Sequence, residues 1–359
     1  MNSNNYCIIM AGGVGARFWP LSTSQTPKQF LDILGVGKSL LRLTFERMLH
    51  VCPKENFYIV TNHNYEKLVL EQLPEIKPSQ VLKEPMRRNT APCIAYGNYE
   101  IKKRNPKASI IVTPSDHLII NQDSFISILT HGLETVTKEN ILLTIGIKPS
   151  RPDTGYGYIQ TGKVFNNTKH IINKVKTFTE KPELEMAKVF LKSGDFFWNS
   201  GIFMWSLPTI EQAFETYLPD VFTLFNDVAL NTKHKKTLDT IYSECPNISI
   251  DYGIMEKSDN VYMIQSDFGW NDLGTWGALY DTVSKDSKNN AVIGKHVFVY
   301  DTNNCMISLP PQKIAVIDGV SDCIIVDSGS SLLICKKADE QKLRQFVNDI
   351  KIKKGDSYV

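Results

Sequence analysis

The stretch Tyr6-Cys7-Ile8-Ile9-Met10-Ala11-Gly12-Gly13-Val14-Gly15-Ala16-Arg17, followed shortly by Pro27-Lys28-Gln29-Phe30, decides the fold class. Residues 6–10 are a short apolar run of buried-strand type. The glycines after it lack a Cβ, so backbone N–H groups there can approach an anion. Arg17 and Lys28 place two cations beside the turn. Together these features predict a phosphate-binding turn at a strand exit. A Walker loop is excluded, because no Gly-Lys-Ser/Thr follows at the required spacing. The dinucleotide fingerprint G-x-G-x-x-G is broken at Phe18. An ordinary strand-to-helix turn would use the same glycines, so the rest of the chain has to decide.

Outward from that turn, strand and helix patterns alternate. Strands are expected over 6–10, 57–61, 80–83, 109–113 and 141–147. Helices are expected over 39–51, 64–73, from residue 90 and over 123–138, with Thr90 as cap and Pro92 in the first turn. This order predicts an α/β fold with a Rossmann-like, mostly parallel sheet covered on both faces. Ligands of such sheets sit beyond the carboxyl ends of the strands, where the glycine turn and Asp116 both fall. From residue 151 the pattern shifts to shorter strands and glycines, then to helices over 208–225 and 233–243. A polar linker over 284–290 precedes β-rich runs at 297–300, 313–317, 323–326 and 332–335 and a helix over 339–351. The expected division is a catalytic domain, 1–285, and a small β-rich C-terminal domain ending in a helix, 286–359.

The 359 residues suffice for one large and one small domain, and the formal net charge of +2 provides no strong field toward nucleic acid or a membrane. Seven scattered cysteines without a C-x-x-C pair argue against a disulfide framework and a structural zinc site, and fit small buried apolar residues. The N-terminus lacks the pattern of a signal peptide, and no apolar run approaches the ~18–20 residues that span a bilayer. A cytoplasmic protein is expected.

Further segments carry chemistry: Glu84-Pro85-Met86-Arg87-Arg88-Asn89-Thr90-Ala91-Pro92, Pro114-Ser115-Asp116-His117, Thr154-Gly155-Tyr156-Gly157-Tyr158-Ile159, Glu180-Lys181-Pro182, Trp198-Asn199-Ser200-Gly201 and Gly269-Trp270-Asn271-Asp272-Leu273-Gly274. In this order, with Gly-Gly-x-Gly-x-Arg-x-x-Pro and Pro-Lys-Gln-Phe before them, they resemble the nucleotidyltransferases that make nucleotide sugars, and among these the mannose-1-phosphate guanylyltransferases. The resemblance runs from the N-terminus to about residue 285. It implies that GTP and mannose 1-phosphate give GDP-mannose and pyrophosphate. It also implies a tail domain often used for dimer contacts. Some family members carry a fused isomerase domain, for which this chain is too short.

That reaction needs no general base, because the attacking sugar-phosphate oxygen is already anionic at neutral pH. Positioning and cations must do the work. The backbone of Gly12, Gly13 and Gly15 would cradle the triphosphate, and Arg17 and Lys28 would hold the β- and γ-phosphates. Asp116 and Asp272 would bind Mg²⁺. Each has a plainer alternative: an Asx turn or helix cap for Asp116, and a cap for a helix starting near residue 273 for Asp272. His117 reads as structural. Glu84, Arg88, Asn89 and Thr90 would recognise the base. Gly157, Glu180 and Asn199 would meet sugar hydroxyls, with Lys181 against the sugar phosphate. Ala16, Thr23, Ser24 and Asn271 depart from the commoner family residues, the first three at places that could weaken nucleotide binding. Two rivals stay open: a nucleotidyltransferase for another sugar 1-phosphate, and a non-catalytic nucleotide-sugar sensor.

Overall fold

The computed structural model describes residues 2–13, 15–230 and 237–359. The strands of the first half form as expected: β1 (Asn5–Met10), β2 (Phe57–Asn62), β3 (Val81–Glu84) and β4 (Ser109–Pro114), then, after the two-residue β5 (Leu118–Ile119), β6 (Leu142–Ile147). Helices α1 (Leu40–Met48), α2 (Glu66–Gln72), α3 (Thr90–Lys102) and α4 (Gln122–Lys138) alternate with them.

After residue 151 the strands are long rather than short. β7 (Tyr158–Asn166), β8 (Ile172–Thr179) and β9 (Phe196–Ser206) have nine, eight and eleven residues, and β10 (Val261–Ser266) follows. Burial along β7 fades from its first residues to its last: Val164 and Phe165 in its outer half are apolar but exposed, and the alternation of a half-buried strand is lost there. Helix α5 (Leu184–Ser193) intervenes, closed by Gly194 in the left-handed region at φ 78°. The helix expected over 208–225 is two, α6 (Leu207–Tyr217) and α7 (Pro219–Leu230), separated at Leu218. A residue before proline avoids the helical region, which explains the break. Helix α8 (Leu238–Glu244) covers the later part of the 233–243 expectation, whose residues 233–236 lie outside the described ones.

The chain divides into two units that interleave in sequence. The first comprises Met1–Gly12, Phe45–Ser115 and Ile119–Trp270. Its nine-stranded sheet has the order β3-β2-β1-β4-β9-β6-β10-β8-β7. Strands β3, β2, β1 and β4 are parallel, as are β6 and β10. Strand β9 runs antiparallel between β4 and β6, and β8 and β7 complete the sheet antiparallel. Parallel pairing thus joins β1 to β4 with one another and β6 with β10, and antiparallel pairing enters with β7, β8 and β9. Ile8, Ile110, Phe203 and Trp205 pack with α3 and α6 residues such as Ile94 and Ile210 on one face. On the other face α4 comes close enough that a Cβ on Gly132 would strike Met204.

The second unit comprises Gly13–Thr44, Asp116–Leu118 and Asn271–Val359. After β11 (Trp270–Asn271) and helix α9 (Trp276–Thr282), the chain coils through β12 (Ala291–Ile293), β13 (His296–Tyr300), β14 (Met306–Ser308), β15 (Ile314–Asp318) and β16 (Cys323–Asp327). Strands β12, β14 and β16 stack in parallel, and so do β13 and β15, so each coil lies on the one before it. Strand β17 (Leu332–Lys336) closes the stack antiparallel, and α10 (Leu343–Lys354) follows. One core joins Phe18, Trp19 and Ile33 to Trp276, Met306, Ile324 and Leu343. The Trp276 indole N–H donates to the Trp19 carbonyl at 3.2 Å, and the Trp19 indole to the Tyr358 carbonyl at 2.8 Å. Six of the seven cysteines are buried free thiols. Among the described residues no helix is long and apolar enough to cross a membrane.

Candidate active site

In the second unit Lys28 is the hub. It is only 5% exposed. Its ammonium contacts Asp116 Oδ2 at 2.9 Å and donates to the carbonyls of Asp272 at 2.7 Å and Leu273 at 2.9 Å. An ammonium has three hydrogens, and these three acceptors engage them all. The result draws Asp116 and the 272–273 backbone around one buried positive charge. Gly15 belongs to the same packing: its φ is +64°, and a Cβ there would lie 2.4 Å from Lys28 Cβ. Glycine is therefore required, both for the left-handed backbone and for the space. Gln29 Nε2 donates to the Gly13 carbonyl at 3.0 Å and fixes the turn from the other side. Arg17 sits half-exposed in the 3-10 turn Ala16–Phe18.

Burial pushes the Asp116 carboxyl up, but the charges of Lys28 and His117 and the hydrogen bonds it accepts outweigh this and hold it below the usual carboxylate range. It is an anion at neutral pH. The helix-cap alternatives fall away. Helix α4 is capped by Asn121, whose side chain accepts from Ser124 N, and α9 by Thr275, whose hydroxyl accepts from Ala278 N. Asp272 instead closes a short turn, accepting from Gly274 N at 2.9 Å through Oδ1. His117 Nε2 stands 4.0 Å from Asp116 Oδ1.

In the first unit Glu84 ends β3 beside Gly12, its Oε2 3.7 Å from where a Gly12 Cβ would be. Tyr242 donates to its Oε1 at 3.1 Å. Burial drives its carboxyl up to about 7, against the Tyr242 hydrogen bond and the charge of Arg87. The neighbouring residues fasten the chain over 242–250. Arg88 donates to the carbonyls of Tyr242 and Ser243 at 2.7 and 3.2 Å, and Thr90 Oγ1 accepts from Ile250 N at 2.8 Å. Asn89, not Thr90, caps α3: its side chain accepts from Thr90 N while its φ is +67°. With ψ at −167° the backbone lies outside the left-handed helical region, in a strained conformation that a β-branched threonine would tolerate still less.

The residues expected to meet the sugar do come together. Gly157 lacks the Cβ that would lie 2.6 Å from Glu180 Oε2, and its carbonyl accepts from Asn199 N at 2.8 Å. Lys181 pairs with Glu180 at 2.6 Å. Asp251 was not among the sequence candidates. Asn199 Nδ2 donates to its Oδ1 at 2.7 Å. Its one sequence signal is an acidic residue before Tyr252-Gly253, too common a pattern to single out.

The pattern of the family described as Nucleotidyl transferase matches residues 6–289, about four-fifths of the chain. The chain belongs to the nucleotidyl transferase family. Residues 294–350 match a MannoseP isomerase/GMP-like beta-helix domain, in keeping with the stacked coils of β12–β16. Mannose-1-phosphate guanylyltransferase 2 of Escherichia coli O157:H7 is 33% identical over 98% of this chain and 74% of its own length. A solved structure from Thermus thermophilus, described as mannose-1-phosphate geranyltransferase, superposes with a TM-score of 0.88 at 30% identity, covering 97% of this chain and 99% of that one. A structure from Helicobacter pylori described as mannose-6-phosphate isomerase matches with a TM-score of 0.60 at 26% identity, over 75% of this chain and 99% of its own. The chain is a nucleotidyltransferase enzyme, with an α/β domain and a β-rich C-terminal part.

Proposed function

We propose that this enzyme transfers GMP from GTP to α-D-mannose 1-phosphate, giving GDP-mannose and pyrophosphate. The observation that carries the reading is the chain-long match to a protein named mannose-1-phosphate guanylyltransferase, with Arg17, Lys28, Asp116 and Asp272 all in place. A non-catalytic sensor would have no need to keep the last three. An anionic oxygen of the sugar phosphate attacks the α-phosphorus in line. The bond from that phosphorus to the bridging oxygen breaks, and pyrophosphate leaves with its electron pair. No proton moves, so His117 has no chemical task.

The chain's own groups divide the labour. Backbone N–H groups of Gly12, Gly13 and Gly15 face the triphosphate, and Arg17 meets the β- and γ-phosphates. Lys28 adds its charge to theirs and holds Asp116 and the Asp272 loop in place. Magnesium suits this pair, since it prefers one or two carboxylates plus phosphate and water oxygens. Among the described residues no three His, Cys, Asp or Glu side chains gather into a self-contained metal site. Asp116 and Asp272 would hold the ion, which supplies positive charge against the phosphate oxygens when bound. Glu84 would accept from guanine N1–H and the 2-amino group, with Arg88, Asn89 and Thr90 shaping that loop. Gly157, Glu180 and Asn199 would take the sugar, and Lys181 its phosphate.

We also infer a catalytic domain over 1–285 and a β-rich domain over 286–359 through which two copies associate. Phe298, Ile314 and Val316 stand exposed on the paired strands β13 and β15, an apolar face that suits a second copy. A panel of nucleoside triphosphates against sugar 1-phosphates, read by pyrophosphate release, tests the reaction. GTP with mannose 1-phosphate should give the highest kcat/KM; a clear preference for another pair would overturn the assignment.

A further inference from the structure

The loop over 19–24 runs on from the turn that carries Arg17 and leads toward Lys28. Residues 335 and 339 positions later hold it. Helix α10 is closed by Gly355, at φ 78°, and the 3-10 turn Asp356–Tyr358 carries the chain back. The Lys351 ammonium pairs with Asp356 at 2.8 Å across this bend. Two consecutive carbonyls then meet the loop. The Tyr358 carbonyl accepts from the Trp19 indole. The Val359 carbonyl accepts from Ser24 twice, from its N–H at 3.0 Å and from its hydroxyl at 2.6 Å. Val359 is buried in the core that holds Phe18, Trp19 and Trp276. Both ends of the loop, residues 19 and 24, are thus gripped by one short segment.

The loop also carries local bonds. Leu21 N and Ser22 N both donate to the Phe18 carbonyl at 3.0 Å, and Thr23 N donates to the Thr26 carbonyl at 3.2 Å. These bonds shape the loop, while those to residues 358 and 359 tie it to the body of the unit. Ser24 departs from the commoner family residue, and the contact with Val359 gives its hydroxyl a use.

The grip passes to the site through Phe18. Its ring lies 4.9 Å from the Trp276 ring, and the Lys28 ammonium stands 5.5 Å from its centroid. Its N–H donates to the Gly15 carbonyl at 2.9 Å. A displacement of Trp19 would therefore move Phe18, and with it the turn that bears Arg17 and the packing around Lys28.

We propose that Tyr358 and Val359 are positioning residues for the nucleotide: by holding Trp19 and Ser24 they set Arg17 and Lys28 for the β- and γ-phosphates. This rests on the reading of the glycine turn as the triphosphate site.

Steady-state kinetics with each substrate varied in turn, together with thermal unfolding, test the proposal on Ser24→Ala, Ser24→Thr and a variant lacking Tyr358 and Val359. One net hydrogen bond corresponds to about 2- to 10-fold. Ser24→Ala should raise the KM for GTP by that factor and leave the KM for mannose 1-phosphate within about twofold. Ser24→Thr keeps the hydroxyl and should stay near the wild type. The deletion removes all three bonds and should raise the KM for GTP further. Adding Ser24→Ala to it should then change nothing more, because the hydroxyl has lost its acceptor. If the deletion does not fold, the two Ser24 variants decide. A wild type that makes no nucleotide sugar would sink the functional reading and this inference together. With an active wild type, a normal KM for GTP in Ser24→Ala or in the folded deletion, even with a lowered Tm, would overturn this inference alone. So would an equal rise in KM for both substrates, or a Ser24→Ala effect that persists in the deleted chain.

Discussion

Glu84 is a carboxyl that the fold holds against its own ionisation, and the cost can be worked out. Its pKa stands at about 7 where the ordinary value is 4.5, chiefly because it is buried. Below pH 4.5 the group is protonated in both folded and unfolded chains and contributes nothing. As pH rises from 4.5 through 7 the unfolded chain releases the proton first, so stability falls across that window and stays lower above it. A shift of about 2.5 units corresponds to about 3 kcal/mol once both states are ionised. Glu84→Gln removes the titration but keeps an acceptor for Tyr242. The groups facing Glu84 do not confound the comparison, because the Cys93 thiol is raised well above its ordinary value, Tyr96 to about 12, and Tyr242 well above 10. Urea unfolding followed by tryptophan fluorescence should show the variant gaining on the wild type by about 3 kcal/mol between pH 4.5 and pH 8.5. A constant difference across that range, or one that moves the other way, would refute the reasoning that burial dominates this site.

Asp272→Asn keeps the Oδ1 acceptor for Gly274 N, and Lys28 binds the backbone carbonyl rather than the side chain, so the variant should fold normally. Its kcat should drop by at least roughly 10²-fold, the scale of a lost electrostatic contribution; near-normal turnover would remove Asp272 from the chemistry. His117→Ala should retain most activity, since Lys28 still holds Asp116 at 2.9 Å; a collapse of kcat in a folded variant would reveal a proton-transfer or orienting role. Gly15→Ala puts a Cβ against Lys28 at a positive φ, so thermal unfolding should report a loss of about 2–4 kcal/mol from backbone strain and overpacking combined. An unchanged Tm would mean that the turn relaxes freely.

The sequence is legible wherever function and local structure share a signal. The glycine turn, Lys28 and Asp116 can be read because a strand exit with glycines and cations is an uncommon conjunction. The parallel strands β1 to β4 stand out because strands buried on both faces leave continuous apolar runs. The full length of β7 and β8 does not show, because these strands leave the core along their length and lose their period. The cap of α3 goes to Asn89 because a positive φ is needed there, and a sequence shows no φ. Asp251 is invisible for a different reason. Its meaning comes from Asn199, 52 residues away, and the hydrogen bond joining them exists only after folding. Lys28 reads as a phosphate ligand, yet its burial among three protein acceptors does not follow from its position after Pro27.

Labelled GTP tests the central claim most directly. With mannose 1-phosphate and magnesium present, phosphorus from the α position should end up in the nucleotide sugar, and phosphorus from the γ position in pyrophosphate. A chelator should stop both, and added magnesium should restore them. Label from the γ position found on the sugar, or full turnover with all divalent metal removed, would contradict the account.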